Sequence, residues 1–286
     1  MRHPVAPEHT AVRVSLWRAL HAKLDQHPLV LEDTLGEKII NEENWESRPD
    51  MHPMGTRKVR ASIVGRARFI EDLLKIEIEN GIKQFVILGA GIDTFAFRHP
   101  EYENVLTIFE VDQPGPQAWK INRLNEMGLK IPTNLNFIPV DFESESWVSK
   151  LKASQFDFSL PTMIVSTGVT MYLSREANIA TLKMLNHFSP GSVFATTFML
   201  PVEELPEEDR ALLEFSMKKA VESGTPFISL FSAASIIQLA KDAGLKNVST
   251  VHSNEMIDRY FKNRDDQLLP AVGECFLIVN CYKLPD

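Results

Sequence analysis

Cysteine is scarce in this 286-residue chain, which contains only Cys275 and Cys281. Both lie in the strand-like run ECFLIVNCY, where their even spacing places them on one face. Six steps of about 3.3 Å nevertheless separate them by roughly 20 Å. Because this distance is far beyond the reach of a disulfide, we expect two buried free thiols.

A basic excess and long apolar runs are also absent. The chain carries 38 acidic and 30 basic side chains, which argues against nucleic acid or a phospholipid surface as a partner. No apolar run approaches the roughly 18 residues that a membrane-spanning helix requires. The start, MRHPVAPEHT, lacks the apolar core of a secretory signal peptide. We therefore expect a cytoplasmic protein with a small-molecule partner, and the sequence indicates no oligomeric state.

The histidines do not form the pattern of a metal site. Five of the eight lie in the first 52 residues, without tight spacing to cysteine or carboxylate, so we predict no metal ion. Apolar residues make up 44% of the chain and charged residues 24%. This composition is typical of a folded chain rather than a disordered one, because it supplies enough apolar surface to offset chain entropy.

Apolar residues recur every four positions in two segments, and both predict amphipathic helices. The first helix is predicted from Thr10, as its N-cap, to about Gln26. The second is predicted from about Arg57 to Asn80, with Gly81 as the stop signal. Prolines interrupt the segment between these helices, which indicates short elements and loops.

Further along, short apolar runs alternate with helical segments. The runs are QFVILGA at 84–90, VLTIFEVD at 105–112, NFIPVDF at 136–142, TMIVSTG at 162–168 and SVFATTFML at 192–200. Continuous apolar runs are typical of parallel strands buried on both faces. Two more runs, KNVSTVH and ECFLIVNCY, follow without a long helix between them. The pattern predicts one α/β domain over residues 1–286, with a doubly wound, mostly parallel seven-stranded sheet and a late antiparallel strand. Extra helices precede this sheet, and the acidic stretch VEELPEEDR predicts an insertion after the fifth strand.

The first strand ends in Gly89-Ala90-Gly91, which allows a sharp turn and a close approach to a ligand. The third glycine of the dinucleotide fingerprint is replaced by Thr94, so this motif alone also fits a plain structural turn.

Carboxylates follow at the ends of the next two strands. Glu110 and Asp112 come about twenty residues after the glycines, where an acid can accept hydrogen bonds from ribose hydroxyls. The two have the same parity, so both could face the pocket, but Asp112 is nearer the strand end. Asp141 with Phe142 follows the third strand, and this pair could contact an adenine. Solvated strand-end carboxylates are the alternative interpretation.

The segments ILGAGIDTFAFR, FEVDQP, PVDF and TGVTMYLS occur in this order. Together they resemble the leucine carboxyl methyltransferase-like family of class I S-adenosylmethionine-dependent methyltransferases. Within it, the chain looks most similar to the bacterial O-methyltransferases of polyketide-type metabolism. The resemblance extends from the first helix through the TMYL segment. It implies a Rossmann-like methyltransferase fold and S-adenosylmethionine as cofactor.

The resemblance also implies roles for individual residues. Arg66 would hold the methionine carboxylate of the cofactor, with Arg68 as the second candidate and a solvated basic helix face as the alternative. The glycine loop would pass along the methionine part. Asp112 would bind the ribose, and Asp141 with Phe142 the adenine.

The chain departs from the family pattern at two positions. Thr167 stands where the family usually has a glutamate, which puts in doubt a ribose or amino-group contact of that glutamate. A threonine hydroxyl can still form a hydrogen bond there, but it adds no charge. Phe95 stands where arginine is common, while Thr94 and Arg98 follow the pattern.

These features predict an O-methyltransferase that acts on a carboxylate or acidic hydroxyl of a small metabolite. Tyr172 could orient the acceptor, and no histidine falls on the motif-bearing strand tips; His99 and His187 are the nearest. An already ionised acceptor needs no general base. Residues 1–60 and 199–231 are predicted to form a lid, with an apolar pocket lined by Phe215, Phe227 and Phe231 unless these rings simply pack the insertion on the sheet.

Three other functions stay open at this point. A protein C-terminal carboxyl methyltransferase would share the same motifs. A non-catalytic S-adenosylmethionine-binding protein is compatible with the Thr167 departure. A nicotinamide-dependent oxidoreductase would share the strand, glycine turn and acid, but the chain lacks both the third glycine and a Tyr-x-x-x-Lys pair.

Overall fold

A computed structural model describes residues 5–6, 9–142 and 144–281. Seven strands of this part of the chain form one sheet in the order β3-β2-β1-β4-β5-β7-β6. They are β1 Gln84–Leu88, β2 Thr107–Asp112, β3 Leu135–Pro139, β4 Thr162–Ser166, β5 Ser192–Met199, β6 Asn247–Val251 and β7 Glu274–Cys281. The first five strands are parallel, and β7 runs antiparallel to both β5 and β6. The predicted doubly wound sheet with a late antiparallel strand is confirmed.

The helices lie before, between and after these strands. They are α1 His9–Leu24, α2 Leu35–Ile40, α3 Arg57–Glu79, α4 Phe95–Arg98, α5 Pro114–Glu126, α6 Trp147–Lys152, α7 Arg175–Met184, α8 Glu207–Glu222, α9 Ala233–Asp242 and α10 Ser253–Met256. The prediction of Thr10 as an N-cap was wrong, because α1 already includes Thr10. Gly81 follows α3 with φ +108°, a left-handed conformation that stops a helix at little steric cost to glycine.

Both faces of the sheet are buried, as the continuous apolar strands predict. On one face, Phe109 packs in a cluster with Leu239 of α9. On the other, Phe85 packs in a cluster with Leu74 of α3. The helices therefore hold the strands from both sides and direct the carboxyl ends of β1 to β5 to one edge.

The two cysteines lie on β7, opposite Phe198 and Ser192 of β5. Both thiols are free, as predicted from their spacing. Cys275 is buried, whereas Cys281 is only partly buried. Their neighbour Tyr282, the last residue of the predicted run, lies outside the described residues.

A buried ion pair joins α5 to β2. Lys120 donates from Nζ to Glu110 Oε2 at 2.6 Å, and both side chains are 1% exposed. The same ammonium donates to the carbonyl oxygen of Asp93 at 2.6 Å, in the loop after β1. Burial raises the pKa of Glu110 to about 7, although the Lys120 charge opposes this shift. The pair therefore holds α5 and the loop after β1 against β2, beneath the carboxyl ends of these strands.

We expect Lys120→Met to destabilise the fold by about 3–5 kcal/mol, because it leaves the buried Glu110 carboxylate without its partner. Adding Glu110→Gln removes the unpaired charge and should restore most of the loss. Urea unfolding followed by circular dichroism measures both variants. Lys219→Met is the control, since its ion pair with Glu222 is half exposed and should contribute little to stability. Equal losses in the single and double variants would show that the ion pair is not the cause.

Candidate functional site

The loop after β1 turns back over the end of β2. Gly89 and Gly91 have φ angles of +70° and +54°, a region that residues with a Cβ atom rarely adopt. The amides of Gly89 and Ala90 donate to the carbonyl oxygen of Val111 at 2.8 and 3.3 Å. These residues form a tight turn whose backbone a ligand can approach closely.

Asp112 lies at the end of β2 and is bonded to this loop. Its Oδ2 accepts a short hydrogen bond from the amide of Gly91, and its Oδ1 accepts one from the amide of Gln113 at 2.6 Å. Burial raises the pKa of Asp112, and the two backbone donors oppose that shift. A carboxylate offers about four lone-pair sites, so two amide donors leave capacity for ligand hydroxyls.

The structure distinguishes Asp112 from Glu110. Glu110 is 1% exposed and is enclosed beneath α5 by Lys120, whereas Asp112 is only partly buried at the strand end. Of the two carboxylates with the same parity, Asp112 alone is therefore placed to meet a ligand at this edge.

Arg66 extends from α3 to the loop after β4. A Cβ atom on Gly168 would lie 3.2 Å from Arg66 Nη1, so the guanidinium lies directly against that loop. Nη1 donates to Glu274 Oε1 at 2.8 Å. Arg66 Nε is buried and has no hydrogen-bond partner among the described residues. Arg68, the second candidate, has a half-exposed side chain and pairs with Asp72, so it does not join this group.

The loop after β4 is held by side chains of its neighbours. Gly168, with φ +71°, donates from its amide to Thr197 Oγ1 at 2.7 Å. Thr170 Oγ1 donates to the carbonyl oxygen of Thr197 at 2.7 Å, and Asn178 Nδ2 donates to the carbonyl oxygen of Thr170. Thr167, next to Gly168, is partly buried within this fixed loop.

Asp141 and Phe142 follow β3, which lies beside β2 in the sheet. The amide of Val140 donates to the carbonyl oxygen of Asp112 at 2.8 Å, so the two strand ends are joined directly. The Asp141 amide donates to Glu145 Oε2 at 3.1 Å, and the Phe142 ring is 41% exposed. The pair thus flanks Asp112 on the side away from Arg66.

The N-terminal helix lies over the glycine loop. A Cβ atom on Gly91 would lie 3.2 Å from Cβ of Ala11 in α1. Arg18 of the same helix pairs with Asp33 at 3.4 Å and with Asp93 at 3.8 Å. These contacts place α1 and the segment around Asp33 against the loop.

Tyr172 lies at the same edge of the sheet, in the segment after β4. It ends a short 3₁₀ turn after β4, and its ring meets Phe227 edge to face at 5.2 Å. The carbonyl oxygen of Met171 accepts hydrogen bonds from the amides of Ile228 and Ser229, so the insertion after β5 is attached to this turn.

The structure corrects the predicted phenylalanine lining. Phe231 is buried in the main core cluster, and Phe215 is 59% exposed on α8. Phe231 therefore fits the alternative that it packs the insertion on the sheet, and of the three rings it is Phe227 that lies beside Tyr172.

The two candidate histidines, His99 and His187, lie away from Tyr172 and Phe227. His99 contacts Glu101 at 2.8 Å and Glu71 at 3.3 Å, and its ring packs on Phe95. Burial lowers the pKa of His99, but the bonds to these two glutamates outweigh it and raise the pKa above the usual value. His187 is exposed and precedes β5, at the opposite edge of the sheet from the carboxyl ends.

Three residues near this edge were missed by the sequence analysis: Lys120, Thr197 and Glu274. Lys120 and Thr197 lie within a helix and an apolar strand, where no local pattern marks them. Glu274 gives a signal that could have been used, because it is a charged residue at the start of a strand-like apolar run. In an antiparallel last strand, that first residue lies at the carboxyl edge of the other strands.

The chain is similar in sequence to known proteins. Residues 11–186 match the model of the leucine carboxyl methyltransferase family. YktD of Bacillus subtilis, named as a candidate S-adenosyl-L-methionine-dependent methyltransferase, is 32% identical over 276 residues, covering 88% of this chain and 90% of that protein. A similarly named protein of Mycolicibacterium gilvum is 29% identical over 204 residues, covering 66% and 65%.

Solved structures share the fold at low identity. A DUF574 family protein from Streptomyces avermitilis aligns with a TM-score of 0.58 at 16% identity, over 96% of this chain and 97% of that one. A candidate O-methyltransferase from Nostoc punctiforme aligns with a TM-score of 0.52 at 11% identity, over 94% and 72%. At these identities the likeness concerns the fold alone.

The sheet order and these alignments define a class I methyltransferase-like fold. The chain belongs to the leucine carboxyl methyltransferase family, and the protein is an S-adenosylmethionine-dependent methyltransferase.

The residues at the carboxyl edge fit this cofactor. Gly89 and Gly91 keep the loop free of side chains, and Asp112 retains acceptor capacity. Arg66 presents a buried donor without a partner in the described chain. In the described ranges, no group of three His, Cys, Asp or Glu could hold a metal ion, and no helix there is long and apolar enough to span a membrane.

Gly168→Ala should weaken binding of the demethylated product, S-adenosylhomocysteine, by roughly tenfold, because the Arg66 guanidinium must shift to accommodate the new Cβ and one charge-assisted contact is misaligned. Gly128→Ala is the matched control. Its φ of +67° imposes a similar backbone strain of about 1–2 kcal/mol, but nothing lies within 4 Å of the new Cβ. Calorimetric titration compares the two, and equal weakening would place Arg66 outside the binding site.

Proposed function

We propose that this methyltransferase acts on oxygen, at a carboxylate or acidic hydroxyl of a small metabolite, as in the polyketide-type branch of the family. The observation that supports this most is the composition of the acceptor side. Tyr172 and Phe227 offer a partly apolar wall with a phenol, while His99 and His187 lie elsewhere. A site without a histidine base suits an acceptor that is already ionised.

In this proposal the cofactor is held by Arg66 of α3 and by residues that follow β1, β2, β3 and β4. Arg66 binds its carboxylate, and the turn Gly89-Ala90-Gly91 follows its methionine part. Asp112 accepts from the ribose hydroxyls. On the adenine side, Asp141 takes an amino hydrogen and Phe142 covers the base. Thr167 offers a hydroxyl on the opposite side, in the loop after β4 that Arg66 contacts.

When bound, the cofactor would supply a methyl group, carried on a positively charged sulfur, for transfer to an oxygen nucleophile. The protein contributes alignment and exclusion of water. Tyr172 is the proposed catalytic residue: its hydroxyl orients the acceptor oxygen, while its ring is fixed against Phe227.

We further infer one domain over residues 1–286, with lid segments 1–60 and 199–231. Two contacts support this division. Ala11 of α1 lies against Gly91, and Lys58 Nζ binds the buried Asp209 Oδ1 at 2.8 Å, which joins α3 to α8. The first contact connects segment 1–60 to the glycine loop, and the second connects the two segments to each other.

Asp112→Ala should weaken S-adenosylhomocysteine binding by about ten- to a hundredfold, since it removes a charged acceptor from two ribose hydroxyls. Isothermal titration calorimetry measures the loss. Glu126→Ala, at the exposed end of α5, is the control and should bind like wild type. If Asp112→Ala binds normally as well, the ribose assignment is incorrect.

Tyr172→Phe should lower kcat/KM by roughly tenfold, the contribution of one hydrogen bond, while S-adenosylhomocysteine affinity stays unchanged. The Phe227 contact is retained in this variant, so folding should not change. Activity is measured on a panel of small carboxylic acids, acidic phenols and peptides with a free carboxyl terminus. Turnover of the peptides alone would favour a protein carboxyl methyltransferase instead.

The same substrates test the base-free mechanism. With a carboxylate acceptor, kcat/KM should be constant from about pH 6 to 8, because the acceptor is ionised throughout this range. A rise near neutrality that disappears in His99→Gln would instead identify an enzyme base.

A further inference from the structure

The amino-acid end of S-adenosylmethionine carries two opposite charges, a carboxylate and an α-ammonium. The proposed role of Arg66 accounts for the first charge only. Thr167, at the position where a glutamate is usual, is neutral and so cannot balance the second. A buried ammonium without a negative partner is costly, so a carboxylate near Arg66 would stabilise the bound cofactor.

The structure places a carboxylate at that point. Glu274 Oε1 lies 2.8 Å from Arg66 Nη1, and the two side chains are 11% and 10% exposed. Arg66 in turn contacts Gly168, the residue after Thr167. Arg66 therefore lies between Glu274 and the loop in which the family's usual glutamate would stand at position 167.

The position of Glu274 follows from the direction of β7. Because β7 runs antiparallel to β5, its first residue pairs with Met199, the last residue of β5. Ser253 Oγ donates to the carbonyl oxygen of Glu274 at 2.5 Å, which anchors this strand end. The last strand thereby delivers a carboxylate to the edge at which the parallel strands end.

We propose that Glu274 binds the α-ammonium of the cofactor, beside Arg66, and so supplies the charge that Thr167 does not. The adjacent pair of opposite charges is complementary to a zwitterion: Arg66 binds the carboxylate and Glu274 the ammonium. Arg66 Nε is buried and has no hydrogen-bond partner in the described part of the chain, so a donor remains for the ligand carboxylate beside Glu274. The inference rests on the proposed role of Arg66 in cofactor binding.

The test uses two ligands and the full-length protein. The first is S-adenosylhomocysteine, and the second is its desamino analogue, which keeps the carboxylate but has hydrogen in place of the ammonium. Wild type should bind the first about ten- to a hundredfold more tightly. Glu274→Gln should bind the desamino analogue nearly as well as wild type does, and should lose most of the preference for S-adenosylhomocysteine.

Asp266→Asn is the matched control. Its ion pair with Arg264 has a length of 2.7 Å and exposures of 11% and 6%, close to those of the Arg66 and Glu274 pair. This variant should keep the wild-type preference. Melting temperatures without ligand identify a general loss of folding.

The outcomes distinguish the ammonium site at Glu274 from the carboxylate site at Arg66. If Glu274→Gln weakens both ligands equally and keeps the preference, Glu274 acts only on Arg66 or on folding, and the ammonium assignment is overturned. If wild type shows no preference between the ligands, the assignment is also overturned. If Arg66→Ala binds S-adenosylhomocysteine like wild type, the proposed carboxylate site itself is incorrect.

Discussion

The hydrogen bond from the Gly91 amide to the Asp112 carboxylate is the contact on which the site depends. It joins the loop after β1 to the end of β2, and it requires a backbone conformation that glycine adopts readily. Beneath it, Lys120 binds both Glu110 and the loop carbonyl of Asp93, so the two strand ends cannot move apart without exposing a buried charge. The parallel sheet then brings Asp141 to the same edge.

The opposite side of the site is assembled from distant parts of the chain. Arg66 comes from the helix before the sheet, Gly168 from the middle of it and Glu274 from its last strand. All three meet because β7 is inserted antiparallel beside β5. The late reversal of one strand thus adds a carboxylate to an edge that otherwise receives only the ends of parallel strands.

The sequence predicted the fold well, because continuous apolar runs and glycine turns are local signals. It also predicted that Asp112 lies at the end of β2, because its position nearer the strand end distinguishes it from Glu110, which has the same parity. The burial of Glu110 could not be predicted, because it depends on Lys120 in the following helix. Phe215 and Phe231 were misplaced for a similar reason: which face of an insertion packs on the sheet is decided by tertiary contacts. The proposed role of Glu274 was missed although its charge at the start of an apolar run was a usable signal, because its partner Arg66 lies 208 positions away in the sequence.

A crystal structure with S-adenosylhomocysteine bound tests this account most directly. The account predicts both ribose hydroxyls within hydrogen-bond distance of Asp112, the ligand carboxylate on the Arg66 guanidinium and the ligand ammonium on Glu274. It would be contradicted by a ligand whose ribose contacts another carboxylate, or whose amino-acid end lies away from Arg66 while the Arg66 and Glu274 pair stays closed.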